Sequence, residues 1–398
     1  MRRPMRPGWA ENQTPTPFLY IRKARVNKRW LWVSADNRNQ KNQRMKKLFF
    51  LLSAVFCAAT SAFAQYPNVA TLTHDSDVKA FYGDSAFVKA MEVAADGDYV
   101  TLSSGRFVAP TIKKAVTVRG AGMWNDDTDP KHIIAQTIVE GTLDFAIPET
   151  TTQAFSMEGV FVRGTSMTTT WLRNASFVKC EFGNGWVGPK SGTSFEYAKL
   201  KDVSFMNCYI QGSSSSTGNN SIASGGNILA VNSYIVSLYC HSSSTGGRSY
   251  ANIFNCYLYG NPANYENCML YNSVIDNPQN SVQSLPTSAT AYNCLADQFM
   301  FGKCYGSGNE AIQTGFKDNF TSYYKLTDEA AAKYLGTDGT QVGMYGGASP
   351  FSPIPNYPRI KKFNVASQPT ADGKLDVEIQ VSTYESEDTD DSQQTTNP

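Results

Sequence analysis

The side chains best equipped for chemistry lie in a few separate places. Asp126, Asp127 and Asp129 follow Gly120-Ala121-Gly122-Met123-Trp124-Asn125, so three carboxylates fall close together. Hard oxygen donors at that density suit calcium, and Trp124 beside them offers an indole face for a sugar ring or a cover for the end of a core. The plainer reading of the carboxylates is a solvated turn. His241 follows Cys240 at the head of a Ser-rich stretch, where an acid or base could act. No carboxylate lies near it in sequence, so a loop histidine without a role is favoured. Arg163, Arg173 and Arg248 carry planar forks that grip acidic sugars. Without a matching acid cluster each also reads as a surface charge, and Arg248 is kept as a ligand-binding candidate.

A repeat organises the centre of the chain. Six segments align without gaps: Phe177-Val178-Lys179-Cys180-Glu181-Phe182, Phe205-Met206-Asn207-Cys208-Tyr209-Ile210, Ala230-Val231-Asn232-Ser233-Tyr234-Ile235, Ile253-Phe254-Asn255-Cys256-Tyr257-Leu258, Leu270-Tyr271-Asn272-Ser273-Val274-Ile275 and Ala291-Tyr292-Asn293-Cys294-Leu295-Ala296. The fourth position advances by 28, 25, 23, 17 and 21 residues. Strand-and-turn repeats of that length indicate a solenoid. Each coil needs a sharp bend, and positive φ outside glycine is cheapest at Asn or Asp. Asn207, Asn232, Asn255, Asn272 and Asn293 therefore read as equivalent corners, and their stacked amides are expected to bond one another in a ladder.

The position after each corner is small and should turn inward, stacking Cys180, Cys208, Cys256 and Cys294 as buried hydrophobes. Seven cysteines follow the apolar run near the N-terminus, an odd number that argues against a complete disulfide framework. A bridge between Cys240 and Cys268, or between Cys294 and Cys304, stays open for an exported chain. Tyr209, Tyr234 and Tyr257 come next in the repeat, so by the pleat they should face outward in a column. An exposed aromatic row can bind sugars, although such a row also stabilises a sheet by stacking.

Flanking elements frame the repeats. Phe87, Ala90, Met91 and Ala94 recur at helical spacing, predicting a helix over 85–95 that ends at Gly97. Short strands with tight turns follow, so the helix reads as a plug on a strand stack. Thr327 to Leu335 predicts a short helix, and a Pro-rich linker leads to one more strand pair, Ile360 to Ala366 and Leu375 to Val381. The predicted organisation is a β-helix over 65–349, linker and strands over 350–384, and an acidic disordered tail over 385–398.

At 41% hydrophobic residues, the 398-residue chain can fill a continuous core. Of its 35 Lys and Arg, 13 precede Leu48, against 2 of its 34 Asp and Glu. The rest holds 22 basic and 32 acidic residues, a net charge of −10. Such a body repels phosphate backbones, so nucleic acid is not expected as a partner of the folded part. Met45-Lys46-Lys47, an apolar run to Ala59 and Ala62-Phe63-Ala64 form the n-region, h-region and cleavage site of a secretory signal. Residues 45–64 are thus expected to be a leader, and 1–44 an extension from an upstream start. The apolar run is too short to span a bilayer. A secreted, periplasmic or outer-surface monomer is expected.

Phe87 to Phe107, with Ala95-Asp96-Gly97-Asp98 and Gly105, resembles the N-terminal cap and first coil of the pectate-lyase-like parallel β-helix superfamily. Asp338-Gly339-Thr340-Gln341-Val342-Gly343-Met344-Tyr345-Gly346-Gly347 is similar to the terminal coil of many of its secreted bacterial members. The resemblance covers roughly 84–347. It implies an all-β, right-handed, single-stranded parallel β-helix with an N-terminal capping helix and a short C-terminal β extension. It says almost nothing about activity, because fold does not imply function.

Two functional readings follow. The favoured one is a non-catalytic, carbohydrate-binding or adhesin-like module whose partner is a polysaccharide or surface glycan. It needs no cofactor, with calcium as the metal candidate. The other is a polysaccharide lyase or glycoside hydrolase acting on an acidic polysaccharide, which needs acidic and basic groups from different coils to converge.

Overall fold

The computed structural model describes residues 68–124, 136–167, 171–183, 186–187, 190–191, 194–195, 198–211, 222–224, 226–236, 238–240, 250–277, 283–298, 300–355, 359–365 and 377–382. These residues form a parallel β-helix. The chain alternates between two long sheets, and each strand pairs with the strand one coil further on. One sheet runs through Phe155–Glu158, Trp171–Val178, Ala198–Met206, Asn227–Val231, Tyr250–Phe254, Cys268–Tyr271 and Thr290–Tyr292. The other runs through Phe161–Met167, Glu181–Phe182, Tyr209–Ile210, Tyr234–Val236, Tyr257–Tyr259, Val274–Asp276, Leu295–Asp297 and Glu310–Ile312.

The register matches the repeat residue for residue. Phe177 pairs with Phe205, then Ala230, Ile253, Leu270 and Ala291 in turn. On the second sheet Glu181 pairs with Tyr209, Tyr234, Tyr257, Val274 and Leu295 in the same way. Helix α1 (Ala86–Val93) buries Ala86, Phe87, Ala90 and Met91 at the N-terminal end of the core. Beside it the antiparallel hairpin Val69–His74 and Asp77–Tyr82 extends the first sheet. Inside, Phe145, Phe155, Phe177, Phe182 and Phe205 pack with centroids 5.3–6.3 Å apart.

Each corner asparagine adopts the left-handed conformation, with φ between 46° and 53° at Asn207, Asn232, Asn255, Asn272 and Asn293. The small residue that follows points inward and bonds the carbonyl two residues back, as Cys208 Sγ does to Met206 O and Ser233 Oγ to Val231 O. Ser233 Oγ also accepts from Cys208 N on the preceding coil, and Ser273 Oγ from Cys256 N, so the column is tied along the axis. Cys180, Cys256 and Cys294 occupy the same column, and all seven described cysteines are free thiols.

The amides do not form the expected ladder. Four of the five bond a C-terminal strap instead, residues 313–355, which leaves the last coil at Ile312 and runs back toward the N-terminal end, while Asn255 Nδ2 is buried without a hydrogen-bond partner among the described residues. Asn293 Nδ2 donates to Leu335 O, and Asn272 Oδ1 accepts from Thr337 N. Asn232 Nδ2 donates to Met344 O and Gly346 O, and Asn207 Oδ1 accepts from Ser352 N. Lys179, at the corner lacking an asparagine, donates to Ile354 O. Where a corner amide meets strap peptide groups that lack another partner, it satisfies them, because those backbone groups would otherwise be orphaned. The Asp338 to Gly347 stretch is accordingly part of this strap and adds no coil. Its glycines permit the contact: a Cβ at Gly336 would sit 2.7 Å from Asn272 Cγ, and one at Gly346 2.9 Å from Asn255 Nδ2. Helix α2 (Asp328–Lys333) lies within the strap, capped by Thr327, whose hydroxyl accepts from Ala330 N.

Candidate functional site

The strap decides what the outer face of the second sheet can do. Tyr209, Tyr234 and Tyr257 do form the outward column that the repeat predicts, with neighbouring ring centroids 4.4 and 5.7 Å apart. Tyr324 of the strap stacks on Tyr234 at 4.5 Å and lies tilted against Tyr257, also at 4.5 Å. Tyr234 and Tyr257 are consequently 4% and 0% exposed. The column is therefore the floor of a second hydrophobic core, with Val274, Leu295, Phe316, Leu326, Tyr334, Val342 and Met344, and not a surface row open to a sugar. Outward residues of a solenoid face are free only if nothing later in the chain returns over them, which the repeat alone does not show.

Trp124 closes the N-terminal end of this core, 5.2 Å from Tyr209, 5.3 Å from Tyr323 and 5.4 Å from Phe351. Its indole Nε1 donates to Glu181 Oε2 at 2.6 Å, while Gln211 Nε2 donates to Glu181 Oε1 at 2.7 Å. Burial raises the Glu181 carboxyl to about 7, and the two hydrogen bonds only partly offset it. Arg163 and Arg173 are held on the surface by Glu140 at 2.7 Å and Glu149 at 3.2 Å. Arg248, His241, Asp126, Asp127 and Asp129 lie outside the described residues. Among the described residues no group of three or more His, Cys, Asp or Glu side chains is arranged to hold a metal ion.

One arrangement the sequence reading missed lies two positions beyond the tyrosine column. There the pleat points outward again, and successive coils carry Gln211, Val236, Tyr259, Asp276 and Asp297. Tyr259 pairs in register with Asp276. Ile275 pairs with Ala296, which sets Asp276 and Asp297 side by side on neighbouring strands, about 4.8 Å apart. The strap supplies the opposite wall through the turn Phe316–Asn319. Tyr259, Asp276, Asn277, Asp297, Gly315, Phe316, Lys317 and Asp318 line a cleft of about 370 Å³.

Asp276 is the unusual member. Its side chain is 1% exposed. Oδ2 accepts from the Tyr257 hydroxyl at 2.7 Å and from Lys317 Nζ. Oδ1 is buried with no hydrogen-bond partner among the described residues. A buried oxygen left unpaired costs about 1–3 kcal/mol, more when charged, so its neighbourhood calls for another donor. Lys317 is 60% exposed at its side chain and sits 5.7 Å from the centre of the Tyr259 ring. Partial burial raises the Asp297 carboxyl above its ordinary range, Asp276 adds to the rise, and Lys317 opposes it. The signal for this cleft was present in the sequence: extending the repeat alignment by one position puts Asp276 and Asp297 in one column. Lys317 carried no such signal, because its approach depends on the strap.

No family model, curated protein or solved structure matches this chain.

Proposed function

We propose that the protein is an exported β-helix of the pectate-lyase-like kind that binds a glycan chain in the cleft beside Asp276. The observation that carries this reading is the buried Asp276, with one oxygen held and the other unpaired at a cleft of ligand size. Sugars present hydroxyl donors at their edges and C–H faces above and below the ring. Asp276, Asp297 and Asn277 supply acceptors, and the partly exposed Tyr259 ring supplies an apolar surface. The leader at Met45 to Ala64 supports delivery to the cell envelope or beyond.

Retention on an oligosaccharide array tests the reading. Wild-type protein should hold at least one glycan class, and Tyr259→Ala should lose it with unchanged circular dichroism. Absence of any retained glycan, or retention indifferent to Tyr259, would overturn it.

A second reading, hydrolysis of the bound glycan, is favoured by the Asp276 and Asp297 pair. Asp297, partly exposed and with its carboxyl raised by burial and by the neighbouring Asp276, is the member of the pair suited to proton transfer at a glycosidic bond. Asp297, the more accessible, would protonate the leaving oxygen. Release of new reducing ends by wild type and not by Asp297→Asn is the result that would establish it.

A further inference from the structure

The charge balance of the cleft narrows the class of glycan, an inference that rests on the reading of this cleft as the binding site. Among the described residues three carboxylates, Asp276, Asp297 and Asp318, line it with one cation, Lys317. That cation is already committed, since its Nζ sits on Asp276 Oδ2. The cleft therefore keeps negative charge at its mouth, on a body that is itself acidic, and a uronate chain entering it would meet repulsion from both. This argues against the acidic polysaccharide of the lyase or hydrolase reading.

Lys317 also shows what Asp276 accepts. A flexible side chain, more than half exposed, reaches in from the strap and places an ammonium on one oxygen of a buried carboxylate. One ammonium leaves Oδ1 unpaired. A ligand bearing an ammonium and a neighbouring hydroxyl could replace Lys317 and supply a donor to each oxygen. Adjacent amino and hydroxyl groups on a ring are the pattern of a 2-amino-2-deoxy sugar. A divalent ion is the poorer fit, because among the described residues no cluster has metal-binding geometry.

We propose that the cleft binds a glycan carrying free amino groups, with a ligand ammonium taking the place of the Lys317 ammonium on Asp276. Lys317 then acts as a tethered competitor that leaves the carboxylate when ligand arrives. Withdrawal of its side chain needs no movement of the coils, since the stem is exposed.

The test is calorimetric titration of the full chain with three tetrasaccharides, fully deacetylated glucosamine, its N-acetylated counterpart and galacturonate, at two salt concentrations. The deacetylated chain should bind about tenfold or more tightly than the acetylated one, a difference of about 1.4 kcal/mol, and weaken as salt rises. Galacturonate should not bind. Lys317→Met should tighten binding of the deacetylated chain several-fold, and Asp297→Asn, at a partly exposed position where folding is retained, should loosen it by about tenfold. Equal affinity for acetylated and deacetylated chains, or preference for galacturonate, overturns the amino-sugar inference and leaves the cleft as a glycan site. Looser binding in Lys317→Met overturns the competitor role. Binding of none of the three, with an array blank as well, overturns both readings together.

Discussion

The Tyr257 hydroxyl donates a 2.7 Å hydrogen bond to Asp276 Oδ2 on the next coil of the same sheet. Tyr257 is a member of the covered aromatic column and Asp276 is the buried wall of the cleft, so the second core and the candidate site share one bond. The column is thus more than filler beneath the strap: its last tyrosine fixes the carboxylate that the ligand is to meet.

Replacing Tyr257 by Phe keeps the packing and removes that donor. Asp276 would retain only Lys317, a partner more than half exposed. We expect a loss of stability of about 1–3 kcal/mol in denaturant unfolding, with the ring stack intact by near-ultraviolet circular dichroism. Stability equal to wild type would mean that the bond carries nothing.

Asn232 joins a coil corner to the strap through bonds to Met344 O and Gly346 O. Asn232→Gly keeps the left-handed backbone without steric cost, whereas Asn232→Ala loses the short polar side chain that lets Asn adopt a positive φ and keeps the Cβ that opposes it. Both should speed hydrogen exchange over 340–352, with Ala the less stable protein overall. Exchange unchanged in the Gly variant would show that the Asn232 bonds do not hold the strap.

Glu181 sets a pH dependence. Its folded value of about 7 lies above the ordinary carboxylate value of 4.5, so between those limits the folded chain binds more protons than the unfolded one. Stability should therefore fall as pH rises from about 4.5 through 7, by an order of 3 kcal/mol. Glu181→Gln keeps hydrogen-bonding capacity for Trp124 and should flatten that part of the profile. An unchanged slope in the variant assigns the dependence to another group.

The thiol column gives a chemical readout of the coil interior. Burial pushes the Cys208, Cys256 and Cys294 thiols up to about 12, and Cys180, Cys240 and Cys268 are buried with them. Of the cysteines from Cys180 onward, only the half-buried Cys304 should react with a water-soluble thiol reagent in the native protein, and all seven in denaturant. Fast labelling of Cys208 or Cys256 without denaturant would contradict the inward stack.

The coils were legible because their cause is local. A left-handed corner selects Asn, the inward pocket after it selects Cys or Ser, and the register then follows without further information. The same alignment placed Tyr209, Tyr234 and Tyr257 on the outer side of the sheet, and it would have placed Asp276 beside Asp297 had it been carried one residue further. What it lacked was any term for the strap. Tyr324 covering Tyr234, Lys317 reaching Asp276 and Ser352 bonding Asn207 join residues 41 to 145 positions apart. Nothing in the spacing of either partner announces those contacts. The strap sequence even looked like a further coil, because the glycines that let it lie against the corner amides are also the residues of tight turns.

The most direct measurement is a crystal structure of the protein grown with the fully deacetylated glucosamine tetrasaccharide. The account predicts a sugar in the cleft with its amino nitrogen within hydrogen-bond distance of Asp276 and the Lys317 side chain swung outward. A saccharide bound elsewhere, with Lys317 still on Asp276 and the cleft empty, would contradict it.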